Sequence, residues 1–305
     1  MDRLKHIVVG VDFSRFSQVA LGQAIRIARA TQAKLHVLHV VRASVVDDLK
    51  EALRDTTDGF HGEVRTTALE HLGQFIADGN PEGVDVVSDV VIGSPLVEIL
   101  RRVQDVSADL LIVGMKGSTG RPGGAGTVAA KCMRKAATRV LLVHENSPER
   151  FTSVVACVDF SEASGRVVEQ AVRICLQNKA HLHVMHAFYP PWKVLHYMAP
   201  TRQASPDYQE QYRQQLVDRL HQLLKPFETE VSQLNVDCHL LEMSETHEAV
   251  LEFKERTSAD LIVIGTRGRT GLKALLLGTT AERIIRESPC SVLAVKPEGF
   301  EYKVD

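Results

Sequence analysis

Aromatic residues are scarce in this sequence. Phe, Trp and Tyr make up 5% of 305 positions, with a single Trp. No apolar run approaches the roughly 18 residues of a membrane-spanning helix, so no membrane partner is expected. Charge of neither sign dominates: 36 Lys and Arg stand against 38 Asp and Glu, a net charge of −2. Without a basic stripe carrying interleaved aromatics, a nucleic-acid partner is not expected either. Cysteine is sparse and scattered at Cys132, Cys157, Cys175, Cys238 and Cys290, with no C-x-x-C pair. An odd, widely spaced set argues against a disulfide framework and fits buried reduced thiols in a cytoplasmic protein. The start, Met1-Asp2-Arg3-Leu4-Lys5-His6, runs straight into a strand-like segment, so a signal peptide is not expected.

What the sequence does have is a repeat. His6-Ile7-Val8-Val9-Gly10-Val11-Asp12-Phe13-Ser14 returns 147 residues later as Ser153-Val154-Val155-Ala156-Cys157-Val158-Asp159-Phe160-Ser161. Ala108-Asp109-Leu110 returns as Ala259-Asp260-Leu261, and Val140–Val143 as Val292–Val295. A slowly drifting offset is the mark of a duplicated domain. The polar stretch around Pro148 predicts a boundary between domains at 1–147 and 148–305. Each half alternates short, wholly apolar runs with segments of helical spacing. The first reads as strands at 7–11, 35–41, 84–91, 110–113 and 140–143, with one long helical stretch over 44–78 and Ser94-Pro95 opening another helix. The second repeats the order, with a helix over about 207–233. Five strands separated by helices predict a parallel α/β sheet covered on both faces.

Open parallel sheets hold ligands beyond the carboxyl ends of their strands, where strand order reverses. Asp12 and Asp159 end the first strand of each half, and glycine-rich loops follow the fourth: Gly114-Met115-Lys116-Gly117 and Gly265-Thr266-Arg267-Gly268. Gly265 and Gly268 allow a phosphate or ribose to approach the backbone closely. After nine intervening residues beyond Gly268, Gly278-Thr279-Thr280 opens a helix whose N–H groups and dipole favour an anion. The first copy departs from this spacing. Eight residues separate Gly117 from Gly126-Thr127, and the loop contains Pro122, which lacks a backbone donor.

The pairing of Val-Asp-x-Ser with G-2x-G-9x-G-[S/T] resembles the universal stress protein family, twice over and across nearly the whole chain. The resemblance implies tandem Rossmann-like domains of the adenine nucleotide alpha hydrolase-like type. It implies an ATP site, with or without Mg²⁺, chiefly in the C-terminal domain. There Asp159, Ala187 and Ile264 would lie around the adenine, and Gly265, Gly268, Gly278, Thr279 and Thr280 would hold ribose and phosphates. The weaker set of the first domain is Asp12, Gly114, Gly117, Gly126 and Thr127. It further implies a stress-response regulator and an intrachain pseudo-dimer through Val140–Val143 and Val292–Val295, and it leaves a homodimer of chains open.

Two other classes stand beside this expectation: a scaffold in which neither domain binds nucleotide, and a slow ATPase or ATP-using enzyme. No Walker A, G-x-S-x-G or H-E-x-x-H motif occurs, and no catalytic residue is expected. Gly124-Ala125-Gly126-Thr127-Val128-Ala129 imitates a dinucleotide fingerprint but follows the fourth strand rather than the first. Lys116, Arg121, Arg267 and Arg269 lie in or beside the loops as solvated charges or phosphate contacts. The histidines at 36, 39, 181, 183 and 186 read as satisfied strand-end residues rather than a metal site, even with Cys238 and His239 nearby. Phe188 to Pro200 reads as a loop packing its aromatics on its own domain, with a lid or partner surface as the alternative.

Overall fold

The computed structural model describes residues 4–53, 59–117, 125–194, 205–266 and 277–300. The chain divides into two compact units. The first runs to Glu149 and takes in Ile285–Ser291; the second holds Arg150–Ile284 and Val292–Pro297. The expected α/β architecture is what each unit adopts.

The first unit runs β1 (His6–Val11), α1 (Arg15–Thr31), β2 (Lys34–Arg42), α2 (Ala43–Ala52), α3 (Phe60–Asp78), β3 (Val86–Gly93), α4 (Pro95–Asp105), β4 (Leu110–Gly114), α5 (Thr127–Lys135) and β5 (Arg139–Val143). Its strand order is β3-β2-β1-β4-β5, all pairings parallel. The chain therefore winds one way from β1 to β3 and the other way through β4 and β5. The switch point lies between β1 and β4. Ile7 to Val11 is buried along its length because helices cover both faces.

The second half repeats the plan. It runs β6 (Ser153–Cys157), α6 (Ala163–Asn178), β7 (His181–Phe188), α7 (Pro191–Val194), α8 (Pro206–Leu224), α9 (Glu228–Val231), β8 (Val236–Glu242), α10 (Thr246–Thr257), β9 (Leu261–Gly265), α11 (Thr279–Glu287) and β10 (Ser291–Val295). The order is β8-β7-β6-β9-β10, with β6 parallel to β7 and β9. No helix among the described residues is long and apolar enough to cross a membrane.

Local chemistry explains the elements around the switch point. α1 buries Ala20, Leu21, Ala24, Ile25 and Ala28 on one face, and full burial of a Leu or Ile side chain stabilises by about 1.5–3 kcal/mol. Its cap is Ser14, whose side chain accepts from the Ser17 N–H. The repeated Ala-Asp-Leu motif pins the start of the first strand to the fourth. Asp109 Oδ2 accepts from the Lys5 and His6 N–H groups at 2.7 and 2.9 Å. Asp260 Oδ2 accepts from the Thr152 N–H and hydroxyl at 2.7 and 2.8 Å.

Three helix expectations need correction. The stretch 44–78 is two helices rather than one: α2 ends before Leu53, and α3 begins after Gly59. The segment 54–58 lies outside the described residues, but Thr56-Thr57-Asp58-Gly59 is a run of poor helix formers. The stretch 207–233 breaks after Leu224 into a 3₁₀ turn over Lys225–Phe227, because Pro226 has no N–H to continue the ladder. Ser94 does sit at the N-cap of α4, yet its side chain makes no capping bond.

Candidate functional site

At the carboxyl end of β1 the chain turns sharply. Phe13 takes a left-handed φ of 62°, and its counterpart Phe160 one of 60°. That backbone costs a non-glycine residue roughly 1–3 kcal/mol. Both turns are held from below by a histidine of the next strand. The His39 Nδ1–H donates to the Val11 carbonyl at 2.9 Å, and the His186 Nδ1–H to the Val158 carbonyl at 2.8 Å. Phe13 packs on His39 and stacks on His71, with centroids 4.4 and 4.5 Å apart. Phe160 packs on His186 at 4.3 Å, with the Arg219 guanidinium 4.0 Å from its centroid. His39 and His186 therefore brace the head of each candidate site.

The turn aims the aspartate at the switch point and fixes one of its oxygens. Asp12 Oδ1 accepts from the Ser14 N–H at 3.2 Å and the Ser14 hydroxyl at 2.6 Å. Asp159 Oδ1 accepts from the Ser161 N–H at 2.9 Å and the Ser164 hydroxyl at 3.0 Å. The two copies then differ. The Ser14 hydroxyl is engaged on both sides, whereas Ser161 Oγ is buried with no hydrogen-bond partner among the described residues. A buried hydroxyl left in this state costs about 1–3 kcal/mol.

The glycine loop meets this aspartate. A Cβ on Gly117 would lie 2.6 Å from Asp12 Oδ2. Gly114 has a different role from the expected one of baring backbone to a ligand. A Cβ there would stand 2.9 Å from the backbone carbonyl carbon of Phe16, so this glycine lets α1 pack on β4. Gly126 is different again. Its nearest obstacles, Lys116 Cα and Met115 O, are 3.7 Å away, and its φ of −67° suits any residue. Gly278 matches it among the described residues, with Thr266 O at 3.7 Å as the nearest described atom.

The two loops close with the same hydrogen bond. The Gly126 N–H donates to Met115 O at 2.7 Å, and the Gly278 N–H to Thr266 O at 3.0 Å. The first span is one residue shorter, which locates the difference in spacing inside the loop. Each bond delivers a threonine, Thr127 or Thr279, to the first position of a helix, where backbone N–H groups lack intrahelical partners.

In the first domain these features surround one cleft of about 1050 Å³. Asp12, Gly114, Gly117, Gly126 and Thr127 all line it, so all five residues expected there come together. Sequence reasoning missed Val41, Arg42 and Pro95, which also form its walls. Val41 and Arg42 end β2, and the carboxyl-end rule applied to that strand would have found them. Lys116 lines the cleft as well, with its ammonium 5.6 Å from the Phe16 centroid.

In the second domain Asp159 follows β6. Ile264 is buried beside Cys157 in the β6–β9 pairing, and Gly265 ends β9. Ala187 borders a pocket of about 250 Å³ with His186, Tyr189, Tyr212 and Arg219, whose described walls do not include Asp159. Thr279 is exposed and Thr280 half-buried in the first turn of α11. Gly268, with Arg121, Arg267 and Arg269, lies outside the described residues.

The described part of the aromatic segment packs on its own domain, as expected. Trp192 meets Tyr208 and Tyr212 edge-on at 6.0 and 5.4 Å, and Lys193 pairs with Glu242. Its remainder, 195–200, lies outside the described residues.

Fold and crevice together define a class: tandem doubly wound α/β domains, the first with a glycine-edged opening at the switch point of its sheet. Sequence comparison narrows the class. The model of the universal stress protein family matches residues 3–144 and 150–296, and the chain belongs to that family. A universal stress protein E homolog of Haemophilus influenzae is 24% identical over 310 residues, covering 97% of this chain and 98% of that protein. A universal stress protein of Methanocaldococcus jannaschii is 55% identical over 47 residues, a match that spans 15% of this chain and only 28% of that relative. Among solved structures, a protein of unknown function from Pseudomonas aeruginosa PAO1 aligns with a TM-score of 0.68 at 22% identity, over 97% of this chain and 94% of its own. That likeness supports the fold alone.

Proposed function

We propose that this chain is a cytoplasmic, stress-linked regulatory protein that binds ATP or a related adenine nucleotide, chiefly in its C-terminal domain. The observation that carries the reading is Gly278. Nothing described in the chain requires a glycine there: its φ is not left-handed, and among the described residues the nearest atom to an added Cβ is 3.7 Å away. A glycine costs entropy on folding and gives helix α11 no side-chain cap. A bare position at the mouth of a helix N-terminus suits a phosphate that must approach the backbone. Ser161 Oγ, orphaned two residues from Asp159, adds a donor in need of an acceptor. Asp159 and Ile264 would flank the base, while Gly265, Gly268, Gly278, Thr279 and Thr280 would hold ribose and phosphates. Buried thiols such as Cys175, raised by burial to a pKa of about 12, are in keeping with a reducing compartment.

The first-domain cleft favours a second reading, in which that domain also takes a phosphate-bearing ligand. Its volume of about 1050 Å³ is ample for a nucleotide. Lys116 and Arg42 would supply positive charge, and the shortened loop would alter the ligand's fit rather than abolish binding.

Denaturing the purified protein and chromatographing what is released tests the proposal. Adenine nucleotide in the released fraction, or uptake of added ATP–Mg that Gly278→Val weakens, supports it. No released nucleotide together with no uptake returns the chain to the scaffold class. Phosphate release that persists unchanged in Gly278→Val and Asp159→Ala marks a contaminating ATPase rather than an enzyme.

A further inference from the structure

Far from the crevices, at the amino-terminal end of β7 and β8, the second domain gathers side chains that the proposed function does not use. The parallel register sets His183 opposite Asp237. His181, two residues earlier, shares the face of His183, and His239, two residues after Asp237, shares the face of Asp237. One ligand atom from each of His181, His183 and Asp237 lies within 4.8 Å of the others. His181 Nε2 is 2.9 Å from Asp237 Oδ2, and His183 Nδ1 is 3.3 Å from His239 Nε2.

We propose that His181, His183 and Asp237 form a site for one divalent transition cation of the Zn²⁺ class. Ligand bonds of about 2.0–2.2 Å in tetrahedral array put neighbouring donor atoms about 3.3 Å apart. The His181–Asp237 separation of 2.9 Å lies below that figure and no separation among the three exceeds 4.8 Å, so small rotations complete the site. Imidazole and carboxylate donors are the set that Zn²⁺ and its neighbours prefer. His183 is buried and gives a fixed anchor, while the exposed side chains of His181 and Asp237 can close on the ion. Phe253 forms an apolar wall against His239 and His183, with centroids at 4.6 and 5.9 Å. The bound ion would clamp β8 to β7.

The first domain provides an internal control. It has a histidine pair at the same end of its sheet, His6 Nδ1 and His36 Nε2 at 3.2 Å, but across β1 and β2 rather than the strands equivalent to β7 and β8. Yet Val87 stands opposite His36 where Asp237 stands opposite His183, and Lys34 takes the place of His181. An apolar residue and a cation replace two of the three ligands, so the duplicated fold does not by itself produce the cluster.

The test is titration of the full, untagged chain with Co²⁺ and Zn²⁺, in the absence of nucleotide. Visible Co²⁺ absorption and calorimetry are read together. One ion per chain is expected, with Co²⁺ bands of low-coordinate geometry that Zn²⁺ abolishes. Asp237→Asn and His181→Gln, both at exposed side chains, should each weaken binding by at least about tenfold, and His6→Gln should not change it. Absence of a one-to-one complex up to millimolar metal, binding unchanged in both second-domain variants, or loss of binding in His6→Gln would each overturn the assignment.

Discussion

A Cβ built on Gly117 falls 2.6 Å from Asp12 Oδ2. Loop and carboxylate are thus in contact across the switch point of the first sheet. Gly117→Ala should push Asp12 out of its turn and distort the cleft. Overpacking of this kind costs about 1–3 kcal/mol. Urea unfolding of the variant should move the transition of the first domain to lower denaturant and leave that of the second in place.

Gly114 and Gly126 look alike in the sequence but should respond differently. Gly114→Ala places a methyl group 2.9 Å from the Phe16 backbone, which cannot yield as a side chain can. Gly126→Ala meets nothing closer than 3.7 Å. Thermal melts should show a clear loss for the first and a change of only about 0.5 kcal/mol for the second. Equal losses would contradict the packing account.

The pair shows how much of the site could be read from sequence and where reading stopped. Strands, duplication and the one-residue difference between loops all follow from local patterns, whereas the meeting of Asp12 with Gly117 depends on β1 lying beside β4. Apolar runs mark buried parallel strands, and glycines mark turns. Gly114 was legible as a glycine but not as a packing residue, because its neighbour Phe16 lies a hundred positions away in sequence. The left-handed φ of Phe13 and Phe160 left no trace in residue type, since Phe rarely adopts it. Asp237 escaped for a related reason. Its position opposite His183 depends on the β7–β8 register, which neither strand encodes alone.

Asp109 carries one end of the first sheet. It receives two backbone N–H groups, from Lys5 and His6. Asp109→Ala strands both donors and should cost about 1–3 kcal/mol in chemical denaturation. Asp260→Ala should act similarly on the second domain through Thr152.

Stability should also fall in mild acid. Burial lowers the pKa of His39, outweighing the opposing hydrogen bond to Val11 and the charge of Asp12. Burial, aided by His6, lowers His36. The unfolded chain therefore binds protons more readily than the folded one. The stabilisation is present above about pH 6.5 and is lost as pH falls below that value. His39→Asn keeps a donor near the Val11 carbonyl without titrating. Its urea midpoint should depend less on pH between 7 and 5 than that of the wild type.

Calorimetric titration of the full chain with ATP–Mg tests most directly whether the second domain holds a nucleotide at Gly278. Wild type should bind. Gly278→Ala should keep its melting temperature, because among the described residues nothing lies closer than 3.7 Å to the added methyl group, while losing affinity by about tenfold or more, some 1.4 kcal/mol. No heat of binding for the wild type at millimolar ATP, or equal affinity in Gly278→Ala, would contradict the account.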